Sequence, residues 1–328
     1  MEPILIVALI LIILWTFWSG FTDAANSIST IVGTRVLSPL NAVMLAAAGN
    51  FVGVLFGSAV AITLGKGIIN PEIISAKLII GALLGGFIWE FITYYRGIPI
   101  SKSQVLVGTL VGAALAAVGT NAVFFSNIFK KVLIPMSLAP FVAFVFTYLF
   151  TALIINLFYK QPATLMNKRF RWMQIFSSFF FSVSHGANDA MKSAGIFWGV
   201  LVYYSLVSGN AVPTWILYVS VTALSLGTLF GGWRIVRTMG VKITALKPFQ
   251  GFCAEASASI IVAVASVLGF PLSTTQTVSG AIIGSGAYRN VSAVRWGVVR
   301  EVLFGWILTI PISALLAYMM YNVLNLVI

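Results

Sequence analysis

Long apolar segments dominate this chain and limit it to one kind of fold. Most are close to or longer than the roughly 20 residues that an α-helix needs to cross the hydrocarbon core of a bilayer. Barrel strands would be shorter and would alternate apolar with polar residues. We therefore predict an all-α integral membrane protein with ten apolar segments, at residues 4–33, 40–64, 73–95, 98–120, 133–158, 173–206, 212–233, 250–269, 271–288 and 302–327.

The composition excludes a soluble protein. Charged residues make up 8% of the chain and hydrophobic residues 60%, whereas soluble globular domains carry about 25% charged residues. The net charge of +12 is read as an excess of cytoplasmic Lys and Arg, so no nucleic-acid partner is predicted. Because His185 is the single histidine, a metal site built from several histidines is excluded, and no cofactor is predicted. The first apolar run, Ile4–Trp18, is read as part of a mature span rather than a removed signal.

The basic residues predict an orientation. If the loop at residues 160–171 is cytoplasmic, 14 Lys and Arg residues fall on the inside. Only Lys66, Lys77, Lys130 and Lys131 then fall outside, and Lys192 lies within a span. The positive-inside rule therefore predicts a multi-pass protein of the cell membrane with both termini extracytoplasmic. This distribution does not decide whether segments 98–120 and 271–288 cross fully or re-enter.

The chain repeats itself once. GFTDA from Gly20 matches GANDA from Gly186, and GVLFGS from Gly53 matches GTLFGG from Gly227. A third pair is GIPISKSQVLVG and GFPLSTTQTVSG, at residues 97–108 and 269–280. Five segments in each half make the halves inverted, an arrangement typical of transporters with a substrate site near the midplane, although channels also use it. We predict a first repeat at 1–159, a cytoplasmic linker at 160–171 and a second repeat at 172–328.

Two aspartates mark a candidate ion site. Asp23 and Asp189 are the only Asp residues, both lie within apolar segments, and they are repeat equivalents. A charge at the bilayer centre costs about 2.5–3.5 kcal/mol on insertion scales and needs a partner or a purpose. The polar runs around them, Trp18–Thr30 and Ser182–Gly195, predict broken helices that line a cavity. The alternative is a buried polar cluster that holds helices together.

A second pair of motifs indicates an anion site. Each has a proline followed by hydroxyls and an amide, which is typical of a capped helix N-terminus. Backbone N–H groups there bind anions such as phosphate or sulfate; ordinary capping is the alternative. The candidate residues are Ser101, Ser103 and Gln104 in the first repeat and Ser273, Thr275 and Gln276 in the second.

Other residues allow two interpretations. Lys102 and Lys192 could hold an anion or extend to the membrane surface, and His185 could carry a proton or be a satisfied polar residue. Glu90 has no readable partner, and Glu255 could pair with the cytoplasmic basic residues. Glycines at four-residue spacing predict close helix packing without a ligand role, at Gly49, Gly53, Gly57, Gly227, Gly231, Gly108, Gly112, Gly280 and Gly284.

These motifs resemble the inorganic phosphate transporter (PiT) family. GFTDAANSISTIVGTR, from Gly20, and SHGANDAMKSAG, from Ser184, are similar to its two signatures, and the resemblance covers nearly the whole chain. It implies a cation-coupled symporter with an inverted-repeat fold in lipid, working as a homodimer. It also implies that Asp23, Asn26, Asn188 and Asp189 are functional and that the hydroxyl motifs contribute to phosphate and ion binding. We predict that these four residues form the Na⁺ site.

Three departures from the family pattern bear on function. Gln104 and Gln276 stand where many members carry His, which favours Na⁺ over H⁺ as the coupling ion because an amide does not titrate. Asn50 stands where animal members carry an acidic residue, and their long cytoplasmic insert is absent. We therefore predict a phosphate symporter that works by alternating access. The alternatives are a sulfate transporter of the same family, an intramembrane aspartyl enzyme, or an anion channel.

Overall fold

The computed structural model describes residues 3–56, 58–67, 70–208 and 211–327, and these contain no β-strand. Some parts of the predictions above lie outside the described residues. They are Gly57, the two chain ends, and the side chains of Lys66, Lys131 and Arg289. The helices are α1 (Pro3–Gly33), α2 (Pro39–Val52), α3 (Ser58–Gly67), α4 (Ala76–Arg96), α5 (Lys102–Val118), α6 (Phe125–Asn127), α7 (Ile134–Phe158), α8 (Ala163–Tyr203), α9 (Thr214–Phe230), α10 (Trp233–Arg237), α11 (Pro248–Val267), α12 (Thr274–Arg289) and α13 (Trp296–Val327).

The helices confirm a multi-pass, all-α membrane protein. Within the described residues, 6 helical stretches are long and apolar enough to cross a bilayer, or up to 7 if the bent pair α9–α10 forms one span. Helix α6 continues through a π-helical stretch, Ile128–Leu133, into α7. Helices α5 and α12 have 17 and 16 residues, which is at or just below the lower limit of about 17 residues for a full crossing. The sequence count of ten crossings therefore stays a prediction.

The sequence predicts helix breaks at the two aspartates, and this prediction is wrong. Helix α1 runs without interruption through Asp23, and α8 runs through Asp189 over 41 residues. Their polar side chains are buried by neighbouring helices rather than exposed to lipid, so the backbone has no need to unwind. The irregular segments lie elsewhere, at the 63° bend between α9 and α10 and in the extended stretches that enter α5 and α12.

Several helices of one predicted repeat pack against helices of the other repeat, and these pairs are equivalent in the two repeats. Helix α1 packs against α9, as α8 packs against α2; α5 packs against α13, as α12 packs against α7. Glycines at these contacts allow the backbones to approach closely. Close helix packing is thereby confirmed for most of the glycines for which the sequence predicted it. The facing pairs are Gly20 with Leu224, Gly227 with Phe17, Gly53 with Val183, Gly186 with Asn50, Gly108 with Ile310, Gly112 with Ala314, Gly280 with Pro140, and Gly284 with Phe144.

Segments predicted to be cytoplasmic contact one another. The Arg171 guanidinium donates to the Arg35 carbonyl at 2.9 Å, and Arg234 donates to the Tyr95 carbonyl at 2.7 Å. The backbone N–H of Arg295 donates to the Ile243 carbonyl at 2.9 Å. Lys102, counted above as cytoplasmic, is instead the first residue of α5 and is buried. Without it, the inside still holds 13 basic residues (14 minus one) against four outside.

Candidate substrate and ion site

The N-termini of α5 and α12 have the same local structure. Each follows a glycine in the left-handed region, Gly97 at φ 67° and Gly269 at φ 73°, a conformation that residues with a side chain rarely adopt. An extended stretch containing a proline follows, and a serine then caps the helix. The Ser101 Oγ accepts from the Gln104 backbone N–H, and the Ser273 Oγ accepts from the Gln276 backbone N–H, both at 3.2 Å. The predicted capping is therefore confirmed in both motifs.

These two helix entrances are in direct contact. The Ser103 hydroxyl, in the first turn of α5, donates to the Leu272 carbonyl, two residues before α12, at 2.9 Å. Ser103 and Leu272 are both buried. The sequence placed these motifs 172 residues apart (97 and 269), and the fold brings them together. Two helix N-termini, each with free backbone N–H groups, thus lie side by side inside the protein.

The two aspartates also come together. Asp23 on α1, with His185 and Asp189 on α8, offers ligand atoms that all lie within 4.8 Å of one another, and all three residues are buried. Asn26 connects this group to α12, because its amide donates to Thr275 at 3.0 Å and to Thr274 at 3.3 Å. The aspartates and the start of α12 therefore form one polar site.

Asp189 is densely bonded. Its Oδ1 accepts from the Lys192 ammonium, and its Oδ2 accepts from the Thr274 hydroxyl at 2.6 Å. The His185 Nε2 lies 2.9 Å from Asp189 Oδ2 but outside hydrogen-bonding alignment, and the His185 Nδ1 is 3.0 Å from the Asn50 Oδ1. The contacts around Asp189 thus include one full positive charge.

Asp23 contrasts with Asp189, because its Oδ2 is buried with no hydrogen-bond partner. Beside it lies a small cavity, which is also lined by Thr22, Lys102 and Thr275. Lys102 is bound to Glu90 of α4. A buried carboxylate oxygen without a partner is costly, and a cation supplies the missing interaction. The Glu90 Oε1 on the same cavity is likewise buried without a partner, but Glu90 is bound to Lys102 through its other oxygen. Asp23 is therefore the candidate cation ligand of the two.

The other predicted residues divide between this site and its surroundings. Asn188 donates to the Ser266 hydroxyl at 3.0 Å, and its own Oδ1 is buried without a partner. Thr275 lines the cavity beside Asp23. Gln104 and Gln276 line a different, mostly apolar cavity between α5, α7, α12 and α13. The structure therefore does not place all six predicted anion-binding residues in one cavity.

Sequence reasoning missed or misplaced several partners. Lys102 and Lys192 do not extend to the membrane surface but pair with buried carboxylates. Thr274 aligns with Lys102 in the repeat and was not among the predicted site residues. Its position between Ser273 and Thr275, which were predicted, could have identified it.

Glu255 does not pair with the basic residues considered above. It accepts from Ser177 at 2.5 Å and from Gln174 at 3.1 Å, and the Thr30 hydroxyl also donates to it. Three neutral donors from α1 and α8 thus surround this carboxylate. They satisfy it without a partner of opposite charge.

Comparisons with known proteins agree with this geometry. The sequence profile described as "Phosphate transporter family" matches residues 19–168 and 159–317. A protein of Rhizobium meliloti (strain 1021), described as a probable low-affinity inorganic phosphate transporter, is 44% identical over 99% of this chain and 98% of its own. One of Bacillus subtilis (strain 168), with the same description, is 37% identical over 100% of both.

A solved structure is also similar over the whole fold. It is described as "The sodium-dependent phosphate transporter", and it matches with a TM-score of 0.88 and 28% sequence identity, covering 100% of both chains. These relatives are transporters and not enzymes, which removes the intramembrane aspartyl enzyme considered above. The chain belongs to the phosphate transporter family and is a phosphate transporter of the membrane.

Proposed function

We propose that this phosphate transporter is a secondary active symporter driven by a Na⁺ gradient and working by alternating access. The observation that carries the proposal is the convergence of Asp23 and Asp189 with the N-termini of α5 and α12 in one buried site. Carboxylates attract cations, and helix N-termini attract anions. A cation bound at the aspartates lowers their repulsion of phosphate, so each ligand favours binding of the other.

The proposed cation site centres on Asp23 and Asn26. Oxygen ligands suit Na⁺ as a hard cation, and Asp23 has a buried oxygen without a partner. The solved relative described as sodium-dependent supports Na⁺ for this chain too. Asp189 belongs to the same cluster, and Asn188 Oδ1 is a further unpartnered oxygen nearby in sequence. H⁺ is the alternative coupling ion.

The proposed phosphate site is formed by the first turns of α5 and α12. Backbone N–H groups and the Thr275 hydroxyl are its donors, while Ser101 and Ser273 hold the two turns in shape. The Ser103 hydroxyl, which donates to the Leu272 carbonyl in this structure, joins them when it exchanges that bond for phosphate. Gln104 and Gln276 line the neighbouring cavity in this structure. Their participation therefore requires a second state of the transport cycle.

Alternating access follows from two inverted repeats, which we propose at residues 1–159 and 172–328 with the linker at 160–171 between them. The equivalent packing of α1 on α9 and of α8 on α2 supports this division. In such a pair the two halves exchange conformations, and the site opens to one side at a time. Bilayer lipid and a second copy of the chain are the further partners, and exposed apolar side chains on α7 and α13 supply surface for both.

Uptake into proteoliposomes tests the proposal. Purified protein is reconstituted, and radiolabelled phosphate and sulfate are supplied separately under an imposed Na⁺ gradient or an imposed pH gradient. We expect phosphate to accumulate above its external concentration under the Na⁺ gradient. Accumulation under the pH gradient alone would indicate H⁺ coupling, sulfate accumulation would indicate the other tetrahedral anion, and flux that never exceeds equilibrium would indicate a channel.

A further inference from the structure

Lys192 occupies a position in which a cation would be expected. It lies one helical turn after Asp189 on α8 and is buried. Its ammonium donates to the Asp189 Oδ1 and, at 2.6 Å, to the Leu272 carbonyl beside the start of α12. A carboxylate oxygen and a main-chain carbonyl oxygen are the ligands that a hard monovalent cation uses. The Lys192 ammonium therefore makes the contacts that a bound metal cation would make, but it stays covalently attached to α8.

The equivalent position in the first repeat is neutral. The repeat alignment that pairs Asp23 with Asp189 pairs Asn26 with Lys192. The Asn26 amide donates to Thr274 and Thr275 of α12. One aspartate of the pair thus has a fixed positive charge, and the other has a buried oxygen without a partner.

The charged side chains around the site do not balance. Three buried carboxylates lie there, on Asp23, Glu90 and Asp189, with two buried ammonium groups, on Lys102 and Lys192. Three carboxylates and two ammonium groups leave one carboxylate without a positive partner. Burying an uncompensated charge in a membrane protein is costly, so a single monovalent cation is enough to balance the protein groups. Asparagine at position 192 would leave room for a second cation.

We propose that Lys192 is a tethered substitute for one coupling cation, and that a single mobile cation, bound at Asp23, is transported with each phosphate. This inference rests on the proposed function, since it sets the number of ions at the same site. Lys192 is thereby a residue that determines coupling stoichiometry. A charge that stays with the protein contributes to phosphate binding but transfers no energy from the ion gradient.

Double-label flux measures this stoichiometry directly. Proteoliposomes with the wild-type protein are given ²²Na⁺ and ³²P-phosphate, and the ratio of initial fluxes is determined. We expect about one Na⁺ per phosphate, because one ion completes the charge balance. A ratio of two or more in the wild-type protein overturns the inference, and this measurement depends on no variant.

The Lys192→Asn variant provides the second arm, since it introduces at this position the residue that the first repeat carries. We expect its flux ratio to rise by about one Na⁺ per phosphate, because the Asp189 carboxylate loses its fixed charge. The matched control is Lys192→Arg, which keeps the positive charge and is expected to keep the wild-type ratio. An unchanged ratio in Lys192→Asn overturns the inference.

The outcomes separate this inference from the proposed function. If the wild-type protein accumulates phosphate under a pH gradient with no Na⁺ flux, Na⁺ coupling is wrong for this chain. Lys192→Asn would then be expected to carry one further H⁺ per phosphate than the wild-type protein, and an unchanged H⁺ to phosphate ratio would overturn the role of Lys192 alone. Loss of phosphate flux in the wild-type protein under both gradients would contradict the symport proposal itself.

Discussion

At the scale of single residues, the two aspartates differ more than their equivalence in sequence suggests. Asp189 is held by Lys192 and by Thr274 at 2.6 Å, whereas Asp23 has a buried oxygen with no hydrogen-bond partner. Removing one member of a buried ion pair leaves the other charge uncompensated. The same substitution is therefore expected to affect function at one site and stability at the other.

We predict that Asp23→Asn lowers Na⁺-driven phosphate uptake by roughly 100-fold or more, since a cation–carboxylate contact near 4 Å is worth several kcal/mol in partly screened surroundings. Folding should be retained, because the amide has the volume of the carboxylate and no ion pair is broken. Uptake in proteoliposomes and thermal unfolding in detergent measure the two effects. Unchanged uptake with unchanged ion dependence would show that Asp23 does not bind the coupling ion.

Asp189→Asn is the matched substitution in the second repeat. We predict a loss of about 3–5 kcal/mol in the free energy of unfolding, because the Lys192 ammonium stays buried without its carboxylate. Thermal unfolding of the purified protein measures this change against Asp23→Asn. Equal stability of the two variants would mean that the Lys192 ion pair contributes little to the folded protein.

At the scale of helices, glycines set the distance between the repeats. Gly227 on α9 faces the Phe17 carbonyl of α1 so closely that an added Cβ would overlap it. Backbone on both sides cannot move as a flexible side chain would, so α1 and α9 must separate. Such a displacement moves Asp23, which lies further along α1.

We predict that Gly227→Ala destabilises the protein by about 1–3 kcal/mol, the usual cost of overpacking a filled interior. Gly297 on α13 is the control, because no atom lies within 4 Å of a Cβ added there. Gly297→Ala should leave stability unchanged or slightly raised, since alanine favours helix. Thermal unfolding and size-exclusion profiles compare the two, and equal behaviour would contradict the close contact between α1 and α9.

At the scale of the whole molecule, the distribution of basic residues predicts how the protein is oriented in the membrane. Arg171 on α8, Arg234 on α10 and the Arg295 backbone contact other segments of the predicted basic end of the fold. By the positive-inside rule this end is cytoplasmic. An even number of crossings then places both termini on the opposite side.

Cysteine labelling tests this orientation. The single native cysteine, Cys253, is buried and is replaced by serine to give a silent background. Gln161→Cys, in the exposed linker, should react with an impermeant maleimide only after the cells are permeabilised. Leu326→Cys, at the end of α13 and 88% exposed, should react in intact cells, and the reverse pattern would show the inverse orientation.

The sequence by itself determined the class of fold, the helical segments and the identity of the polar motifs. These follow from local properties: the length of an apolar run, the capping preference of serine, and the cost of an aspartate in a membrane. The capped turns at Ser101 and Ser273 were therefore predictable. The choice of Asp23 and Asp189 as candidate residues is local in the same way, because an aspartate is unusual in an apolar segment whatever its neighbours are.

The tertiary structure alone decided which of these groups meet. The continuity of α1 and α8, the partners of Lys102, Lys192 and Glu255, and the separation of Gln104 and Gln276 from Asp23 depend on contacts between residues far apart in the chain. A buried charge is satisfied by whichever donor the packing brings to it, and one sequence with its local patterns does not specify that donor. For this reason the contrast between a compensated Asp189 and an unpartnered Asp23 is visible only in the folded molecule.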